Sequence, residues 1–182
     1  MKRKTFFKKI PSEEITPLEI YMRFLDDKNS YFFESVEGGE KWAKYSIIGL
    51  PTDKKIKLSD SPLDEIDDFM KSQKVERIEG LPDFTGGLVG YFSYDTIRHI
   101  EKKLSNSKKP QLNYAEISLM ISDELIVYDN YEKNLFIIVN DSEKNEKLAN
   151  LRIDEILQQI NTPLEDQENS KKNKIEFSSS VS

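Results

Sequence analysis

Two apolar runs, Glu116 to Tyr128 and Leu135 to Asn140, stand on either side of the polar stretch Asp129-Asn130-Tyr131-Glu132-Lys133-Asn134. Asp and Asn side chains bond their own backbone and tolerate tight turns, so this is the strongest hairpin signal in the chain. Antiparallel pairing is therefore the condition that the remaining elements must meet. At 182 residues and 37% hydrophobic content the chain is long enough to bury a sizeable core around that hairpin.

Other elements follow from periodicity and punctuation. Thr16 is placed to cap a helix, with Pro17 at its first position and Glu19 able to bond back to the cap. Ile15 and Ile20 are spaced as a hydrophobic staple, and Leu18, Tyr21, Met22 and Leu25 form one apolar face. Tyr31 to Val36 and Tyr45 to Leu50 read as strands joined through Gly38-Gly39, and Lys54 to Leu58 as a half-exposed strand. Ser61-Pro62 opens a second helix with Leu63, Ile66 and Met70 inward. A strand from Leu88 to Tyr94 leads into a short helix, capped by Asp95, that carries Ile97, Ile100 and Leu104. The last helix, roughly Glu143 to Ile160, has Ala149, Ile153, Ile156 and Ile160 on its inner face. Strands cluster with few strand-helix-strand alternations, which predicts an α+β fold: an antiparallel β-sheet domain with flanking helices. From Asn161 onward the composition turns to Ser, Asn, Lys and Glu, the mark of a linker or tail.

Charge and rare residues narrow the function. The net charge of −6 disfavours nucleic acid and anionic membrane as general partners. There is no cysteine, which removes disulfides and thiolate chemistry and suits a reducing compartment, the cytoplasm. The single histidine, His99, rules out a multi-histidine metal site and reads as a surface or boundary residue. The basic start, Met1 to Lys9, is interrupted by Lys8 and Lys9 before any export segment forms. No run approaches the roughly 20 apolar residues of a membrane span.

Two segments carry candidate chemistry. Tyr31-Phe32-Phe33-Glu34-Ser35 ends an apolar strand in a carboxylate and a hydroxyl, and Lys41 and Lys44 follow the glycine loop. A carboxylate can hold an ammonium, and a hydroxyl with a lysine can hold a carboxylate, so the set suits the head group of a free amino acid. The plainer reading is a strand leaving the core. In a regular strand Glu34 and Ser35 point to opposite faces, so one ligand reaches both only at a strand end or bulge. The second segment, Gly86-Gly87-Leu88-Val89-Gly90, lacks the Lys-Ser/Thr of a phosphate loop and reads as a strand passing tightly against another element. Arg98 is spaced to pair with Asp95 or Glu101, and Asp64, Asp67 and Asp68 mark a solvated helix face. The residues alone show no catalytic constellation.

Taken in order, Phe32-Phe33-Glu34-Ser35-Val36-Glu37-Gly38-Gly39 with Lys44-Tyr45-Ser46-Ile47-Ile48-Gly49, then Gly86 through Asp95 to Glu101, then Val127-Tyr128-Asp129-Asn130, resemble the amino-terminal domain of anthranilate synthase component I. The resemblance implies half of the α/β sandwich of chorismate-utilising enzymes. It implies an enzyme, a lyase, that makes anthranilate from chorismate in tryptophan biosynthesis, with ammonia from a glutamine amidotransferase subunit, and that uses magnesium. It further implies that L-tryptophan acts as feedback inhibitor, with Glu34, Ser35 and Lys44 matching the inhibitor site. On this expectation residues 1–160 form the regulatory domain and 161–182 a linker towards a chorismate and magnesium domain outside this chain, so that the chain alone is inactive. Aminodeoxychorismate synthase component I and a stand-alone amino-acid-sensing module are the rival expectations.

Overall fold

The computed structural model describes residues 2–12, 14–26, 28–34, 44–58, 61–104 and 115–163. The expected hairpin lies at the centre. Strand β6 (Glu124–Asp129) pairs with β7 (Asn134–Ser142) from Glu124 against Val139 to Asp129 against Asn134. Its turn is set by Asp129, whose buried carboxylate accepts the Tyr131 and Glu132 N–H groups, each at 3.0 Å. Lys133 takes up the left-handed backbone that closes it, at φ 53°.

Around the hairpin the sheet grows to five antiparallel strands in the order β1-β7-β6-β3-β2, with β1 at Arg3–Pro11, β2 at Asn29–Phe33 and β3 at Tyr45–Thr52. Helix α1 (Pro17–Arg23) and helix α3 (Glu146–Asn161), the last described element, cover one face. Ala149, Ile153, Ile156 and Ile160 are buried as the spacing predicts, against Phe6, Ile48, Ile126, Leu135 and Ile137. The opposite face carries a smaller core of Leu125, Val127, Phe136 and Ile138, covered by Leu81 and Phe84. Fully burying each such aliphatic side chain is worth roughly 1.5–3 kcal/mol.

A second sheet pairs β4 (Gly87–Phe92) with β5 (Ile117–Ser122) in antiparallel register. Helix α2 (Pro62–Ser72) and a 3-10 helix over Tyr94–His99 complete the described elements that matter here.

Several expectations need correction. Strand β1 is a full sheet member, from Arg3 against Ser142 to Pro11 against Asn134, hidden in the sequence by its basic residues. It is an edge strand, where charge is favoured because it discourages further pairing. Lys4, Lys8 and Lys9 each find an acid: Glu146 at 3.8 Å, Asp154 at 2.9 Å and Glu132 at 3.3 Å. The run from Glu116 to Tyr128 is not one hairpin arm. It breaks at Asp123, so that β5 belongs to the second sheet and β6 to the first. Lys54 to Leu58 forms only an isolated bridge, Lys55 with Met120, supported by two backbone bonds to β5.

In α1 the capping box of Thr16 and Glu19 is present, with Pro17 at the first position. Its buried side, however, is formed by Ile20 with Phe24 beyond its end, while Leu18, Met22 and Leu25 are exposed. The apolar residues surround so much of this short helix that spacing alone could not select the stripe. Helix α2 lies on the surface: Leu63 and Ile66 are half-buried and Met70 is exposed. The short helix over Tyr94–His99 has Ser93, not Asp95, at its N-cap position, and Asp95 lies in its first turn and pairs with Arg98 at 2.7 Å.

Candidate functional site at the β2–β3 sheet end

Strands β2 and β3 place two of the expected residues, Glu34 and Lys44, at one end of the large sheet. The last β2 pair is Phe33 against Ile47. Continuing that register by one residue sets Glu34 opposite Ser46, and Lys44 lies two residues earlier on β3's side. Glu34 is exposed and lies just past the end of the strand. Ser35, the third expected residue, lies outside the described residues, as does Lys41.

Lys44 is fixed more firmly than the sequence suggested. Its carbonyl accepts the Asn130 N–H at 2.8 Å. Its ammonium stands 3.7 Å from the buried Asp129 carboxylate and 5.0 Å from the centre of the Tyr45 ring. Contact with the Tyr45 side chain, and then the charge of Asp129, hold the Lys44 pKa above the ordinary lysine value. Beside it Ser46 is fully buried and accepts a hydrogen bond from Asn130 Nδ2 at 3.1 Å. The turn that closes the β6–β7 hairpin therefore also orients Lys44. Asp129 combines two tasks, capping its own turn and neutralising a cation that remains half-exposed and able to meet an anionic ligand.

Chemically the arrangement offers an acid and a base at the end of adjacent strands, suited to binding an ammonium and a carboxylate. Sequence reasoning missed the part played by Asp129 and Tyr45. The signal was present in Tyr128-Asp129-Asn130, but their meeting with Lys44 depends on β3 pairing with β6, a non-local contact.

The glycine segment behaves as the tight crossing that the sequence suggested. Gly86 has φ +131°, and a Cβ there would lie 2.5 Å from Asn140 Nδ2 and 2.7 Å from the Ser122 carbonyl. Asn140 uses that closeness: its Nδ2 donates to the Thr85 carbonyl at 2.6 Å, and its Oδ1 accepts the Thr5 hydroxyl at 2.7 Å. His99 sits at the boundary, 3.0 Å from Glu116. Among the described residues no group of three or more His, Cys, Asp or Glu stands together to hold a metal ion. Nor, among them, is any helix long and apolar enough to cross a membrane.

The antiparallel α+β architecture is shared with a solved structure. The crystal structure of anthranilate synthase component I from Streptococcus pneumoniae superposes with a TM-score of 0.55 at 19% identity, covering 85% of this chain and 37% of that one. The family model described as chorismate binding enzyme matches residues 28–182, and the chain belongs to that family. Anthranilate synthase component 1 of Pseudomonas aeruginosa is 38% identical over 171 residues, covering 82% of this chain and 35% of its own length. The protein of that name from Pseudomonas putida is 41% identical over 143 residues, covering 68% and 29% respectively. The chain thus spans about a third of the length of the curated relatives it matches.

Proposed function

We propose that this chain is the tryptophan-sensing, amino-terminal part of anthranilate synthase component I, with residues 1–160 as the regulatory domain and 161–182 as the linker towards the catalytic part. The observation that supports the reading is Glu34 just past β2 and the Asp129-paired Lys44 just before the adjacent β3, in a chain similar over most of its length to proteins of that name. In this reading Glu34 holds the ammonium of free L-tryptophan, Lys44 its carboxylate, and Ser35 adds a hydrogen bond. Chorismate, ammonia from a glutamine amidotransferase subunit, and magnesium enter through the catalytic part in the cytoplasm. The described residues of this chain offer no cluster for that metal, and their part is to bind the inhibitor.

Sensing requires two states with different tryptophan affinity. The end of β2 suits that task, because a ligand there bears on an edge strand of the large sheet. Inhibition assays on the whole enzyme test the proposal. Glu34→Lys and Ser35→Phe should relieve tryptophan inhibition while anthranilate formation continues, and unchanged inhibition constants would overturn the assignment. The 182-residue chain alone, given chorismate, ammonia and magnesium, should form no anthranilate.

A further inference from the structure

One buried polar contact, between Tyr31 and Ser122, joins the two sheets and stands apart from Glu34 and Lys44. Tyr31, on β2, pairs across the sheet with Gly49 on β3. Its ring lies so close that a Cβ on Gly49 would fall 1.9 Å from Tyr31 Cε1. An aromatic ring laid over a cross-strand glycine has little freedom, and Phe33 restrains it further, its ring centre 5.0 Å away. The fixed ring carries its hydroxyl to Ser122 Oγ at 2.7 Å, and both residues are buried. Ser122 is the last residue of β5, next to Asp123, where the chain passes from the small sheet to the large one.

Asp123 is held by the guanidinium of Arg3 at 2.5 Å and the ammonium of Lys54 at 2.9 Å. Its carbonyl accepts the Asn140 N–H at 2.8 Å. These contacts anchor the joint to β1, to the segment after β3, and to β7. The Tyr31 hydroxyl is different, because it ties the joint to β2, three residues before Glu34 in sequence.

We infer that the Tyr31–Ser122 hydrogen bond couples β2 to the β4–β5 sheet, so that an amino acid held at the end of β2 changes the stability of that sheet. The ligand half of this inference rests on the proposed tryptophan site. The coupling half does not. A two-stranded sheet is marginal by itself, and its order depends on such ties. Coupling of this kind requires a measured interaction energy rather than spatial proximity alone, which a double-mutant cycle supplies.

The experiment is amide hydrogen exchange on the 182-residue chain as wild type, Tyr31→Phe, Ser122→Ala and the double variant, without ligand and with L-tryptophan. Without ligand, each single variant should speed exchange in β4 and β5 by about three- to tenfold, the range a single hydrogen bond supports. The double variant should be no faster than the faster single. Effects that simply multiply, or that spread evenly over both sheets, would overturn the coupling. With tryptophan, β4–β5 exchange should change in the wild type and stay constant in Tyr31→Phe, while calorimetry shows both binding. Binding to the wild type without any change in β4–β5 would overturn the inference and leave the tryptophan site standing. Absence of binding at millimolar tryptophan would overturn the site, and the ligand half with it, while the ligand-free cycle still decides the coupling.

Discussion

The two sheets are built on opposite terms. In the large sheet, residues Leu125 to Tyr128 and Leu135 to Val139 are buried without a break, because α1 and α3 cover one face and the segment with Leu81 and Phe84 covers part of the other. In the small sheet β4 buries Val89 and leaves Tyr91 and Phe92 about half exposed, and Tyr94 just beyond is 93% exposed. One sheet owns its core. The other is held at its margins by Asn140, Asp123, the Lys55 bridge and Tyr31. The large sheet is thus the better buried of the two, and the small sheet is the one held mainly at its edges.

The largest effect that would break this contrast is a cavity in the large sheet. Ile137→Ala removes a fully buried side chain between β7 and the helices. It should cost about 2–5 kcal/mol and lower the urea midpoint of the whole chain together. Leu119→Ala, in β5 of the small sheet, should cost less, and equal losses would mean that the two sheets share one core.

Next comes Asn140→Ala. It strips partners from the Thr5 hydroxyl and the Thr85 carbonyl in a buried place, which costs about 1–3 kcal/mol. Hydrogen exchange should accelerate chiefly from Gly86 to Phe92, with β6 and β7 still the slowest to exchange. Uniform acceleration would show that Asn140 supports the large sheet instead.

Smaller again is the cap of α1. Thr16→Ala should cost about 1 kcal/mol in chemical denaturation. The Thr16 backbone N–H, and then its hydroxyl, hold the Glu19 pKa below its ordinary value of 4.5. A lowered carboxylate pKa adds stability that is fully present above pH 4.5 and lost as the pH falls through the folded value. The stability gap between wild type and Glu19→Gln should therefore close in acid, and NMR titration should find the Glu19 pKa raised in Thr16→Ala. A gap independent of pH would remove the charge from the explanation.

Local signals carried much of the fold. The Asp129–Asn134 turn, the Thr16 capping box and the inner face of α3 are written in adjacent residues, and the structure has all of them. Strand β1 was concealed because an edge strand with charges on it reads as a basic tail. The break at Asp123 was concealed because Ile117 to Tyr128 is apolar on both sides of it, and only the separate partners of β5 and β6 divide it. For the site, Glu34 and Lys44 were legible as residue types beside a glycine loop. The orientation of Lys44 by Asp129 was not, since it depends on strands far apart in sequence. The Tyr31–Ser122 contact spans 91 positions and leaves no local trace.

Whether β2 and β3 end in an amino-acid site is tested most directly by NMR titration of the 15N-labelled chain with L-tryptophan. Saturable shifts should centre on Tyr31 to Glu34 and Lys44 to Ser46. Binding should weaken at least tenfold in Lys44→Ala, the loss expected of a charge-assisted contact. Shifts centred elsewhere, or none at millimolar tryptophan, would contradict the assignment.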